Sequence, residues 1–110
     1  MTQNKIKLLA QAVSSNPDDS FSKFALALEL IKSNRIDQAL ILFESIYRNE
    51  PSYLGIYYHL GKLYQHLDRI EEAEKCFSEG IERAKQQKEA RTRSELQEAL
   101  LQLKEETNDE

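Results

Sequence analysis

Apolar side chains recur along this chain at the three-and-four spacing of a helix, not the alternation of a strand. Tyr57, Leu60, Gly61 and Tyr64 stand at i, i+3, i+4 and i+7, one face of a helix. Ala73, Phe77, Gly80 and Ile81 stand at i, i+4, i+7 and i+8, one face of a second helix. Between them, His-Leu-Asp-Arg-Ile-Glu (66–71) has room only for a tight helix–helix turn. Neither stripe is buried unless the two face each other, so the pattern predicts a helical hairpin. Towards the N-terminus, Ile6, Leu9, Ala12 and Val13 share one side of a further helix. Towards the C-terminus, Leu96, Ala99, Leu100 and Leu103 form another amphipathic stripe.

The hairpin is written twice. Sliding the chain along itself so that Leu26 falls on Leu60 also places Arg35 on Arg69, Ile36 on Ile70, Ala39 on Ala73 and Phe43 on Phe77. The same shift carries Pro17 onto Pro51, Ala27 onto Gly61 and Leu30 onto Tyr64. The identities fall where the two helices of a hairpin touch. That explains a glycine in mid-helix. It costs roughly 1 kcal/mol there, but a small residue lets the two axes approach, and burial of Tyr64 and Phe77 around the gap returns more. Ala27, Ala39 and Ala73 are expected to serve the same close approach.

These residues resemble the tetratricopeptide repeat, a helical hairpin of about 34 residues. Its first helix carries a large aromatic, Leu-Gly and Tyr, and its second Ala, Phe and Ala. The copy at 54–87 carries Tyr57, Leu60, Gly61, Tyr64, Ala73 and Phe77, and departs with Gly80 at the last small position and Lys85 where proline is usual. The copy at 20–53 carries Leu26, Ala27, Leu30, Ala39, Phe43, Ile46 and Pro51, and departs with Lys23 at the leading aromatic. The resemblance implies an all-α fold, a right-handed α-α superhelix with two full repeats between flanking helices, of the kind found in small stand-alone bacterial proteins.

In that frame residues 1–104 form a single domain. Residues 3–15 are a half-repeat helix, 20–53 and 54–87 the two repeats, 89–104 a capping helix, and 105–110 a disordered acidic tail. Asp18 and Asp19 are expected N-terminal caps for the helix that starts near Ser20. The capping helix is needed because an open solenoid end would expose apolar surface. With no proline at 85, residues 70–105 are either one long helix or two. The polar stretch 85–95 is where a break would fall, and a break is expected.

Composition narrows the function more than the fold. The 110 residues are 40% hydrophobic and 31% charged, with three glycines and two prolines, which suits one helical domain. No apolar run is long enough to span a bilayer, and the N-terminus has neither the continuous apolar core nor the cleavage site of a signal peptide. Cys76 is the only cysteine, which rules out an intrachain disulfide and fits a reducing compartment; a cytoplasmic protein is expected. The net charge of −4 equals the contribution of Glu105, Glu106, Asp109 and Glu110, so the rest of the chain is near neutral and points to no partner class.

Candidate chemistry is sparse. His59 and His66 share a helix face roughly 10 Å apart at ~1.5 Å per residue, too far for one metal ion. Cys76 stands alone in mid-helix, which suits packing and not catalysis. Glu44–Arg48, Glu71–Lys75 and Glu79–Arg83 are i,i+4 pairs of a solvated surface. The basic cluster Arg83, Lys85, Lys88, Arg91 and Arg93 is diluted by Glu82 and Glu89 and has no interleaved aromatic, so nucleic acid is not an expected ligand. No cofactor, metal or enzymatic activity is expected.

The resemblance supplies the functional expectation. Stacked repeats of this family line a concave groove with first-helix positions offset from the core stripe. Here these are Phe21, Phe24, Leu28 and Ile31 in the first copy, and Tyr58, Lys62, Gln65 and His66 in the second. The Lys and Asn clamp with which some members grip carboxylate tails is not present, because Phe24 and Leu28 occupy its first-copy positions and His59 stands where an Asn would be wanted. The expectation is a protein-interaction module, an adaptor or scaffold, that binds a peptide or helix of another protein through Phe21, Phe24, Leu28, Tyr58, Lys62, Gln65 and His66. The alternative is homodimerisation through the same apolar surface. Membrane and nucleic-acid partners are not expected. Either the groove is open, or a flanking helix covers it.

Overall fold

The computed structural model describes residues 2–108, with side chains from Asn4 onward. Among the described residues every regular element is helical: α1 (Thr2–Ser15), α2 (Ser20–Lys32), α3 (Ile36–Asn49), α4 (Ile56–His66), α5 (Ile70–Gln86) and α6 (Ala90–Asn108). The chain divides into two compact units, one ending at Ile56 and the other beginning at Tyr57.

In the first unit α2 packs against both α1 and α3. Leu26, Ala27 and Leu30 of α2 are buried with Ala39, Phe43 and Ile46 of α3, the residues the periodicity assigns to the core. Lys23 is only 6% exposed. Its aliphatic stem lies where the repeat pattern wants an aromatic ring, and its Nζ donates to Ser45 Oγ at 3.0 Å. Glu29 is buried as well, and its Oε1 meets Lys5 Nζ at 3.1 Å and Lys32 Nζ at 3.2 Å, which ties α1 to α2. Asp19 is the N-cap of α2, but its carboxylate accepts from the Ser22 hydroxyl at 2.5 Å and not from a backbone N–H.

In the second unit the small residues of α4 and α5 have immediate reasons. A Cβ on Gly61 would overlap the Phe77 ring, so the ring rests directly on the α4 backbone. A Cβ on Gly80 would come within 2.5 Å of Tyr57 Cβ and 2.9 Å of Leu96 Cδ1. The departure at Gly80 therefore lets Tyr57 and α6 close on α5. The Tyr57 hydroxyl reaches Glu79 Oε2 at 3.4 Å. Leu96, Ala99 and Leu103 bury the inner face of α6.

Two kinds of turn connect the helices. After α1 and α3 the chain turns at Asn16–Asp19 and Glu50–Tyr53, closed by Asp19 N–H to Asn16 O at 3.1 Å and Tyr53 N–H to Glu50 O at 3.0 Å. Pro17 and Pro51 occupy the second position of these turns, where a fixed φ is an advantage. After α2, α4 and α5 the chain instead passes through a left-handed residue, Asn34, Asp68 and Lys88, each at φ 61°. The residue that follows donates back five positions: Arg35 to Leu30, Arg69 to Tyr64 and Glu89 to Ala84, all at 2.8 Å. This Schellman closure satisfies the last carbonyls of each helix.

The break between α5 and α6 thus falls at 87–89 and needs no proline. One expectation is corrected. Residues 105–108 belong to α6 and not to a disordered tail. The Leu96–Ala99–Leu103 stripe holds α6 against α5, and the helix simply continues past it; residues 109–110 lie outside the described residues.

Candidate functional site

The outward stripe of α2 in the first unit is not uniform. Phe21 is 68% exposed. Phe24, three residues on, is half-buried and belongs to an aromatic cluster, with its ring 5.7 Å from that of Phe43 and 5.4 Å from that of Tyr53. A Cβ on Gly55 would stand 3.2 Å from the Phe24 ring, so the chain after α3 lies close against this side chain. Leu28 and Ile31 are half-buried. Burial, with the Glu50 and Asp19 carboxylates near it, pushes the Tyr53 hydroxyl above its ordinary pKa.

In the second unit α4 presents Tyr58, Lys62, Gln65 and His66. Tyr58 and His66 are exposed, and Lys62 and Gln65 half-buried. Lys62 Nζ lies 6.0 Å from the Tyr58 ring centroid, the outer limit of a cation–π contact. Gln65 donates Nε2 to Glu106 Oε2 at 2.8 Å, while its Oε1 is buried without a hydrogen-bond partner. Gln65 is therefore engaged by α6.

A cleft of about 430 Å3 opens between these two helices, lined by Tyr58 and His59 of α4 and by Glu95, Glu98, Ala99 and Gln102 of α6. Tyr58 lies beside 95–102 and Gln65 beside 106, so α4 and α6 run alongside in the same direction. Glu95, Glu98, Gln102 and Glu106 stand at i, i+3, i+7 and i+11, one ridge of α6 facing α4. His59 is half-buried, and burial holds its pKa below the ordinary value, so the ring is uncharged near neutral pH. Its ring meets that of Tyr58 edge-on at 5.6 Å.

In the sequence α6 reads as a cap only, which misses Glu95, Glu98 and Gln102. Their spacing is visible in the chain, but any solvated helix face shows the same. The basic cluster lies elsewhere: Lys85, Lys88 and Arg93 border a shallow recess of about 260 Å3 at the α5–α6 turn, together with Glu89. Arg83 meets Glu79 at 3.4 Å, one of the i,i+4 pairs the sequence suggests, and Lys85 meets Glu82 at 3.9 Å. Among the described residues no three His, Cys, Asp or Glu gather to hold a metal, and Cys76 is buried. No helix among the described residues is long and apolar enough to cross a membrane.

The family model for the tetratricopeptide repeat matches residues 30–100. The chain belongs to the tetratricopeptide-repeat family. It is 43% identical to a tetratricopeptide repeat domain protein from Salinibacter ruber, known in solution and in a crystal. The solution structure gives a TM-score of 0.75 over 80% of this chain and 89% of that one. The crystal structure gives 0.76 over 78% and 97%. The fold is also that of the TPR2B domain of yeast Sti1 in its complex with pHsp70, with a TM-score of 0.87 at 11% identity over 96% of this chain and 84% of that one. The TPR domain of Sgt2 from Aspergillus fumigatus gives 0.83 at 20% identity over 98% and 69%. No curated protein sequence matches the chain. Within the repeat pattern Tyr58, Lys62, Gln65 and His66 occupy the outward positions of a first helix, and α6 adds a polar wall beside them.

Proposed function

We propose that this tetratricopeptide-repeat protein is an interaction module, an adaptor or scaffold that binds a peptide or helix of another protein on the outward faces of α2 and α4. The observation that carries this is the open cleft beside Tyr58, an aromatic presented outside the core with polar groups converging on it. Sti1 TPR2B, of the same fold, was solved in complex with pHsp70, so a helical scaffold of this kind is suited to holding a protein segment. Phe21 and Leu28 serve in the first unit and Tyr58, Lys62 and His66 in the second. Phe24 supports its neighbours from within the aromatic cluster, and Gln65 holds α6 in place. Apolar contacts with the aromatic rings supply most of the affinity. Catalysis has no part in this proposal, and the single buried thiol suits a cytoplasmic protein.

The test is a pull-down with the wild-type chain and a Phe21→Asp, Tyr58→Ala variant whose helical circular dichroism is unchanged. Phe24 is left intact because its loss would open the core. Partners retained by the wild type and lost by the variant support the proposal, and equal recovery by both rejects it. A second reading, homodimerisation, is favoured by the exposure of Phe21 together with Leu8 and Ile41. Sedimentation equilibrium decides it: a mass that stays monomeric as concentration rises eliminates self-association.

A further inference from the structure

We infer that the cleft between α4 and α6 accepts a cationic side chain, arginine or lysine, carried by the partner's peptide. This rests on the interaction proposal above and adds the chemical class of what is bound. The cleft is lined by two carboxylates, Glu95 and Glu98, and by no cation. Four acidic residues elsewhere are matched within the chain: Glu29 by Lys5 and Lys32, Glu72 by Arg69, Glu79 by Arg83 and Glu82 by Lys85. Among the described residues no ion pair matches Glu95 or Glu98.

The groups around the two carboxylates suit a guanidinium. Tyr58 offers an exposed ring opposite them, and a planar cation stacks on such a face while its N–H groups reach carboxylate oxygens. Lysine fits the same charge with a single point contact. Ala99 contributes no more than a methyl group to the lining, and the Gln102 amide provides a neutral partner for a peptide group. His59 is uncharged near neutral pH and so neither repels a cation nor offsets the carboxylates. Lys62 stands off the Tyr58 ring but does not line the cleft. The Gln65–Glu106 hydrogen bond clasps the two helices beyond it. An acidic peptide would bring like charge against Glu95 and Glu98 and is disfavoured on that ground.

The test pans a random-peptide display library against the immobilised full chain, then measures the recovered peptides in solution. The expected peptides share an arginine or lysine. Replacing it with the neutral isostere citrulline, or acetyl-lysine, weakens binding about tenfold, and raising salt to about 0.5 M weakens it further. The Glu95→Gln, Glu98→Gln variant, changed only at exposed side chains and checked for unaltered circular dichroism, binds about fivefold more weakly or worse. Peptides without a basic residue, or basic peptides that bind this variant as tightly as the wild type, overturn the inference and leave the interaction module standing. A library that yields no binding peptide at all overturns both.

Discussion

The two hairpins solve one packing problem with opposite choices of side chain. The first has Lys23 on its leading helix and Ile46 on its second; the second hairpin has Tyr57 and Gly80 at the equivalent repeat positions. All four positions are buried. A slender stem stands with a full-sized aliphatic, and a broad ring with no side chain at all, so the two hairpins fill the space between their helices from different sides. The polar ends follow the same register. Lys23 reaches Ser45 at 3.0 Å and Tyr57 reaches Glu79 at 3.4 Å, and Ser45 and Glu79 are themselves equivalent positions of the repeat. The repeat therefore constrains a pair of positions and the hydrogen bond at their edge, and leaves the identity of each residue free to change with its partner.

The most severe way to break this comparison is to give the second hairpin the first one's aliphatic. Gly80→Ile drives a branched side chain into Tyr57 and Leu96 and is expected to lower stability by about 3 kcal/mol. Adding Tyr57→Lys removes the ring, whose Cγ would stand 3.0 Å from the new Cβ, and leaves a flexible stem that can swing aside, although the Cβ of residue 57 remains. The double variant should then recover at least about 1 kcal/mol of the loss, a non-additivity expected of residues in contact. Urea denaturation followed by circular dichroism measures all three chains. Exchange of volume is the wrong account if the double variant is less stable than Gly80→Ile alone.

The first hairpin makes a milder demand. Lys23→Ala removes the buried stem and leaves Ser45 without this donor, and should cost about 2 kcal/mol. Lys23→Met keeps the stem and gives up only the ammonium, and should stay within about 1 kcal/mol of wild type. Equal losses for the two variants would show that the charge, and not the stem, is what the site uses.

What the sequence reveals divides along the same line. Core stripes are legible because burial imposes a period: Leu26 and Ala27 in one copy and Leu60 and Gly61 in the other reappear at one spacing, and each is buried. Phe24 is not legible as a core residue, because its position on α2 points it outward and only the return of the chain past Tyr53 and Gly55 covers it. The α5–α6 turn is legible as a break within 85–95, but its exact place is not, for a different reason. Its left-handed residue is a lysine, while Asn34 and Asp68 at the other two such turns are residues known to tolerate that conformation. The acidic wall of the cleft is hidden most completely, since Glu95 and Glu98 carry no signal that separates a binding face from a solvated one, and Glu106 is read as tail until the helix is seen to continue.

The three left-handed turns sharpen the comparison further. A side chain at φ 61° crowds its own carbonyl, and Lys88 has no short polar group to offset this. Lys88→Gly should raise stability by about 0.5–1 kcal/mol, net of the extra freedom glycine has in the unfolded chain. Asn34→Gly and Asp68→Gly should gain less. Thermal melts of the three variants give the ranking, and a Lys88→Gly chain that melts no higher than wild type contradicts it.

The smallest expected effect separates Glu29 from Glu72. The Lys5 ammonium hydrogen-bonded to Glu29 holds its carboxyl below the usual carboxylate range, against the opposing effect of burial, with Lys32 assisting. Arg69 does the same for Glu72, with both guanidinium contacts at 2.7 Å, but on an open surface where solvent screens the pair. A carboxylate whose folded pKa is depressed stabilises the fold above its unfolded value, about 4.3, and loses that contribution as pH falls through the folded value. Urea midpoints should therefore drop less steeply below about pH 4.3 in Glu29→Gln than in wild type, and Glu72→Gln should change the slope less. Lys5→Met should flatten the profile as Glu29→Gln does, because each removes one side of the pair joining α1 to α2. Parallel profiles for wild type and Glu29→Gln would mean that the buried pair makes no difference between the folded and unfolded chain, and that α1 is held to α2 by the apolar contacts of Ile6 and its neighbours alone.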